Sequence, residues 1–200
     1  MKEKISKLFQ PMRLRHDLII KNLKNGIILD LSSADFTVGG NLHKALKERI
    51  TNKNYKLIGV DIVKNENVDI TANLNKKFPF PDDYADNIVA GDILEHMENP
   101  FYFLQECKRV LKKGGNLLII TPNMMSLAYF LKPDFSQYRE ADPHLYSWNI
   151  PILKTLIEKS DLKINQIFYF NAHWGRNLFK RFLCFLIKRW GSYIFVEATK

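Results

Sequence analysis

Apolar residues in this chain fall in short runs bounded by turn residues, and these runs alternate with stretches at helical spacing. Residues 12–24 (MRLRHDLIIKNLK) repeat apolar positions every three or four residues and stop at Asn25-Gly26, which predicts a helix capped there. The run IILDL, residues 27–31, reads as a buried strand. Residues 41–50 read as a helix, and KLIGVD, residues 56–61, as a second strand ending in an acid. A short third strand is expected at 67–71. The segment Phe78-Pro79-Phe80-Pro81-Asp82-Asp83 reads as a stiff loop, because its two prolines forbid helix. DNIVA, residues 86–90, predicts a fourth strand. Residues 99–111 are amphipathic, and Lys112-Lys113-Gly114-Gly115 predicts their stop, with basic residues complementing the helix end before glycine. NLLII, 116–120, reads as a fifth strand. A helix is expected over 149–160, with Pro151 in its first turn, and two last strands over 163–170 and 192–198. There is no internal repeat and no low-complexity segment.

Strands that alternate with helices predict an α/β fold, a mostly parallel sheet with helices on both faces. Such sheets bind ligands beyond the C-terminal ends of their strands, near the point where strand order reverses. The residues just after IILDL, KLIGVD and DNIVA are therefore the first place to look for chemistry.

Composition narrows this picture. Two hundred residues suffice for one sizeable domain, and 46% hydrophobic with 26% charged residues is ordinary for a folded protein. Two cysteines, Cys107 and Cys184, exclude a disulfide framework and a four-cysteine zinc site. No uncharged apolar run of about 18 residues is present, and the N-terminus lacks the apolar stretch of a signal peptide, so the expectation is a cytoplasmic protein. The net charge of +9 sits at the two ends: residues 1–24 hold seven basic and two acidic residues, and residues 171–200 hold six and one. Basic ends attract polyanions such as nucleic acid, acidic lipid or charged glycan, or else simply form solvated helix faces. No aromatic RNA-reading motif accompanies them, which disfavours nucleic acid.

The strand ends form a constellation. The first ends in Asp30, followed by Leu31-Ser32-Ser33-Ala34; the second ends in Asp61; the fourth leads into Gly91-Asp92-Ile93-Leu94-Glu95-His96. Then come Arg109-Val110-Leu111-Lys112-Lys113-Gly114-Gly115 and, after LLII, Thr121-Pro122-Asn123. This series resembles the class I S-adenosylmethionine-dependent methyltransferases, in particular the type 11-like group with a signature close to LEH…RVLKPGG…TPN. The stretch 142–162, which begins Asp142-Pro143-His144, is similar to a further element of that group. The resemblance covers about 27–170. It implies a Rossmann-like seven-stranded, mostly parallel sheet with an antiparallel hairpin at its last strands, S-adenosyl-L-methionine as cofactor, and methyl transfer as activity. The implied organisation is a basic helical segment over 1–26 and a methyltransferase domain over 27–200, with a basic, aromatic helical insertion at about 174–191.

The resemblance also implies roles. Asp61 would hold the cofactor's ribose, since one carboxylate can accept from both hydroxyls of a cis-diol. Asn73 falls where relatives have an acid that accepts from the adenine amino group, and Leu74 would lie beside the ring. Asp30, Ser32, Ala34 and Asp92 would line the methionine end. The first loop departs from the family, because Ser32, Ala34 and Phe36 stand where relatives have Gly-x-Gly-x-Gly; Gly39 and Gly40 follow close behind. The loop is also neither a nicotinamide fingerprint nor a P-loop.

Glu95, His96 and His144 are the candidates for catalysis. A histidine suits removal of a hydroxyl proton near neutral pH, while the alternative for Glu95-His96 is capping the next helix, and for His144 a loop role. The spacing of His, Cys and Asp matches no metal site, and sulfonium displacement needs none. Residues 178–190 interleave Leu178, Phe182, Phe185, Leu186 and Trp190 with Lys180, Arg181, Lys188 and Arg189. Such a helix could lie on a membrane surface, pack on the domain or join a dimer. The expected acceptor is an oxygen of a small molecule or surface glycan. A non-catalytic scaffold and an RNA methyltransferase are the rival readings.

Overall fold

The computed structural model describes residues 13–34, 42–50, 54–126, 144–171 and 190–200. Phe36, Gly39, Gly40, Asp142, Pro143 and most of the basic aromatic stretch 178–190 lie outside the described residues.

The elements in chain order are α1 (Arg13–Lys21), β1 (Gly26–Leu31), α2 (Leu42–Arg49), β2 (Tyr55–Asp61), β3 (Ile70–Thr71), β4 (Ala85–Gly91), a 3-10 turn (Leu94–His96), α3 (Pro100–Val110), β5 (Leu111–Pro122), α4 (Ile150–Lys159), β6 (Lys163–Phe170) and β7 (Tyr193–Thr199). The strands among the described residues form one seven-stranded sheet in the order β3-β2-β1-β4-β5-β7-β6. All neighbours from β3 to β5 are parallel, and β7 runs antiparallel to both β5 and β6. The order turns back between β1 and β4, so the C-terminal ends of β1, β2 and β4 open onto one crevice.

Successive side chains of a strand point to opposite faces, and here both faces are covered. Leu29, Leu31, Ile88, Ala90, Leu117 and Ile119 pack with α3 and α4 residues such as Phe103, Leu104, Leu153 and Ile157. Ile28, Val89, Leu118 and Ile120 pack on the other face with Ile19 of α1 and Leu42 and Leu46 of α2. Each of the leucine, isoleucine and valine side chains among them contributes about 1.5–3 kcal/mol by leaving water. Ile19 is fully buried there, so α1 is part of the domain's core.

Two local expectations are corrected. The first helix ends at Lys21, and Gly26 is the first residue of β1 rather than a helix cap. The helix over 99–111 ends at Val110, and the expected stop Lys112-Lys113-Gly114-Gly115 lies inside β5. The strand absorbs it through an irregularity: Leu111 pairs with Ala85, the register shifts before Asn116 pairs with Asn87, and Gly114 takes φ 76°. Glycine after basic residues serves a strand bulge as readily as a helix end, because both need a left-handed backbone. α3 itself is capped at its start by Asn99, whose side chain accepts from Tyr102 N, and α4 likewise by Asn149 accepting from Ile152 N.

Candidate active site

The first loop leaves β1 with Ser32 at φ 87°. A side chain rarely adopts that backbone, and glycine does so freely. The loop thus keeps a glycine-type conformation where the sequence places serine. Ser32 offsets part of the strain by donating Oγ–H to Gly91 O at 2.6 Å, which ties the ends of β1 and β4 together. The Ser32 and Ser33 amides donate to Val60 O, and the Ala34 amide donates to Asp61 Oδ2 at 3.0 Å.

Asp61 ends β2 in a half-exposed position. Its other oxygen, Oδ1, accepts from Val63 N at 3.0 Å. A carboxylate has about four lone-pair positions, so two remain for further donors. Ile62 and Val63, exposed apolar residues, follow directly and add a ledge that sequence reasoning did not mark. Asn73 stands after β3 with Oδ1 accepting from Asn75 N, an Asx turn that leaves its amide N–H groups and one lone pair. Leu74 beside it is buried in the core.

Asp30 is placed differently from the lip. It is buried, and its Oδ2 lies 3.0 Å from Nδ1 of His43, which is buried on α2. Gly59 makes room for this pair, since a Cβ there would lie 2.9 Å from His43 Cε1 and 2.2 Å from Asn67 O. His43 was unremarkable in the sequence, because nothing local signals a partner thirteen residues back across the sheet.

Asp92 follows β4 with φ 49°. Its carboxylate forms an ion pair with Arg15 Nη2 of α1 at 2.6 Å, with only 10% and 8% of the two side chains exposed. The same guanidinium lies 5.7 Å from the ring centre of Tyr193. Arg15 is a site residue that the sequence offered no signal for.

Glu95 and His96 sit in the 3-10 turn. Glu95 is buried and accepts at Oε2 from Thr121 Oγ1 at 2.9 Å. Burial, reinforced by the negative charge of Asp92, pushes its carboxyl up to about 8. The Glu95 main-chain carbonyl accepts from Leu145 N at 2.8 Å and Tyr146 N at 3.1 Å. These two bonds pin the segment beginning at His144 to the turn, and the rings of His96 and His144 meet edge to face with centres 4.7 Å apart. The end of β5 closes this side. Asn123 Nδ2 donates to Gly191 O, Met124 N donates to Trp148 O, and Tyr146 stacks on Trp148.

The structure therefore brings together Ser32, Ala34 and Asp61 on one side, and Glu95, His96 and His144 on the other, with Asp92 held by Arg15 between the elements. Asp30 stays beneath, engaged by His43. S-adenosylmethionine fits these residues by two observations. Asp61 retains lone pairs for a diol at the crevice edge, and the loop backbone at Ser32 already has the left-handed conformation that glycine adopts freely. Among the described residues no helix is long and apolar enough to cross a membrane.

Comparison with known proteins bears on this arrangement. Residues 35–119 match the family model described as a methyltransferase domain. The chain is 44% identical over 52 residues to the mitochondrial ubiquinone biosynthesis O-methyltransferase of Rattus norvegicus, covering 26% of this chain and 15% of that protein. The human protein of the same name is 29% identical over 116 residues, covering 52% of this chain and 31% of that one. The chain thus spans less than a third of the length of these curated relatives. A SAM-dependent methyltransferase of Archaeoglobus fulgidus superposes with a TM-score of 0.66 at 17% identity, over 94% of this chain and 91% of that one, a likeness of fold. By its sheet order and its reversed last strand the chain has the class I methyltransferase fold, and residues 35–119 within it match the methyltransferase domain model.

Proposed function

We propose that this chain methylates an oxygen of a small-molecule or glycan-type acceptor. The observation that carries the reading is the pairing of an open carboxylate, Asp61, with the Glu95, His96 and His144 group at the same sheet edge. S-adenosylmethionine, when bound, would supply a methyl carbon activated for transfer by its sulfonium.

The chain's residues do the rest. Asp61 accepts from the ribose hydroxyls with its unused lone pairs. Asn73 and the apolar Ile62–Val63 ledge face the adenine. Arg15 and Asp92, paired with each other, fix the loop after β4 that borders the methionine end. The clustered imidazoles of His96 and His144 at the acceptor side suit an acceptor whose hydroxyl must lose a proton, which favours oxygen as the acceptor atom. The name of the rat relative, an O-methyltransferase, points the same way. Holding both reactants in line supplies much of the rate.

Calorimetric titration with S-adenosylmethionine and S-adenosylhomocysteine tests the reading. Binding at micromolar affinity is expected, lost in Asp61→Ala. Folded protein that binds neither ligand at millimolar concentration would leave the non-catalytic scaffold as the better reading.

A further inference from the structure

We propose that Glu95, His96 and His144 hold a divalent transition-metal ion, zinc or a similar one, at the acceptor side of the crevice. One donor atom from each of the three residues lies within 4.8 Å of the other two. Bound to a tetrahedral ion with bonds of about 2.0–2.1 Å, such donors stand roughly 3.4 Å apart, so the side chains need draw in by only about an ångström. Two imidazoles and one carboxylate suit zinc, iron(II), cobalt(II) or manganese(II) better than calcium or magnesium.

A second observation is independent of the spacing. Glu95 is 1% exposed, and its Oε1 has no hydrogen-bond partner among the described residues, although Oε2 is held by Thr121. A buried carboxyl with one idle oxygen costs stability unless something occupies it. A cation would do so, and Thr121 would then be the outer partner that orients the ligating carboxylate, as ligands of metal sites commonly require. The backbone contributes as well. The Leu145 and Tyr146 amides bonded to Glu95 O fix His144 beside the turn, so the three donors are brought together by main-chain bonds and not by side-chain reach alone.

Three protein ligands leave at least one coordination position open, which is the arrangement of a catalytic rather than a structural ion. The location beside the acceptor rests on the methyl-transfer reading above. In that setting an acceptor hydroxyl bound at the open position loses its proton to water at a lower pH, and the ion stabilises the oxygen anion that forms. A histidine that gives its lone pair to an ion cannot also take the proton from that nitrogen. The ion thus replaces free-base catalysis by His96 or His144.

Full-length protein stripped with a chelator and titrated with cobalt(II) alone, then with zinc(II), tests this. The expected result is one equivalent of cobalt bound with visible d–d absorption of low-symmetry coordination, displaced by zinc. Glu95→Gln, which keeps the side chain's shape, and His144→Ala should each weaken binding on the order of 100-fold. A spectrum unchanged in both variants would place the ion elsewhere and overturn the site. Absence of binding at hundred-micromolar metal, in protein that binds S-adenosylhomocysteine, would overturn the metal while leaving the methyltransferase reading in place. Cobalt binding that depends on both residues in protein with no S-adenosylhomocysteine affinity would do the reverse.

Discussion

Arg15→Met removes the positive half of an ion pair that joins α1 to the loop after β4. The two charges meet at 2.6 Å with about nine-tenths of each side chain out of water. At an effective dielectric of about 20, unit charges some 4 Å apart attract by about 4 kcal/mol. Loss of one partner leaves the other buried and uncompensated, which costs roughly 3–5 kcal/mol. Asp92→Asn should cost less. Asparagine accepts the left-handed backbone that Asp92 adopts at φ 49°, and its amide oxygen still accepts from the guanidinium. The double variant should recover part of the loss, with a coupling energy of about 1–3 kcal/mol. It should not recover all of it, because the guanidinium also faces the Tyr193 ring, worth about 1 kcal/mol. Urea unfolding of the wild type, both single variants and the double variant at neutral pH supplies the four free energies. Losses that add in the double variant to within about 0.5 kcal/mol would refute the coupling. The same substitution reaches Glu95, since the charge of Arg15 is one of the influences that lower its carboxyl and that of Asp92 raises it. Without Arg15, Glu95 should keep its proton to higher pH.

Glu95→Gln tests the raised carboxyl in metal-free protein. The folded state holds a proton on Glu95 up to about pH 8 that the unfolded state gives up near 4.5, so wild-type stability falls between those values as pH rises. Glutamine does not titrate, and the variant should gain on the wild type by at most about 1.4 kcal/mol per pH unit across that window, read by urea unfolding at pH 5, 6.5 and 8; a difference independent of pH would contradict the assignment. Ser32→Ala should destabilise by about 1 kcal/mol, because it keeps the left-handed strain and loses the bond to Gly91 O, whereas Ser32→Gly should stay within about 1 kcal/mol of wild type in thermal unfolding. Asp61→Ala should abolish S-adenosylhomocysteine binding in calorimetry while costing about 1–2 kcal/mol of stability from its bonds to the Ala34 and Val63 amides. His96→Ala should lower the turnover rate more than cofactor affinity, once an acceptor is in hand, and full activity in that variant would remove it from the chemistry.

Much of this molecule is local and could be read along the chain. The runs IILDL, KLIGVD, DNIVA and NLLII became strands of a doubly covered sheet, because burial on both faces leaves a continuous apolar run that turns then bound. The place of the crevice followed from where those runs end. Lys112-Lys113-Gly114-Gly115 misled for a local reason, since the same residues suit a helix end and a strand bulge, and only pairing with β4 selects between them. What lay beyond the sequence is whatever depends on chain closure. Arg15 finds Asp92, His43 finds Asp30, and His144 is carried to Glu95 and His96 by amide bonds from the two residues after it. Spacing in the sequence resembled no metal site. Folding sets three donors from two separate segments within a few ångströms of one another, because periodicity records which face a residue buries, whereas the distance between groups on different segments exists only once the loops between them have closed.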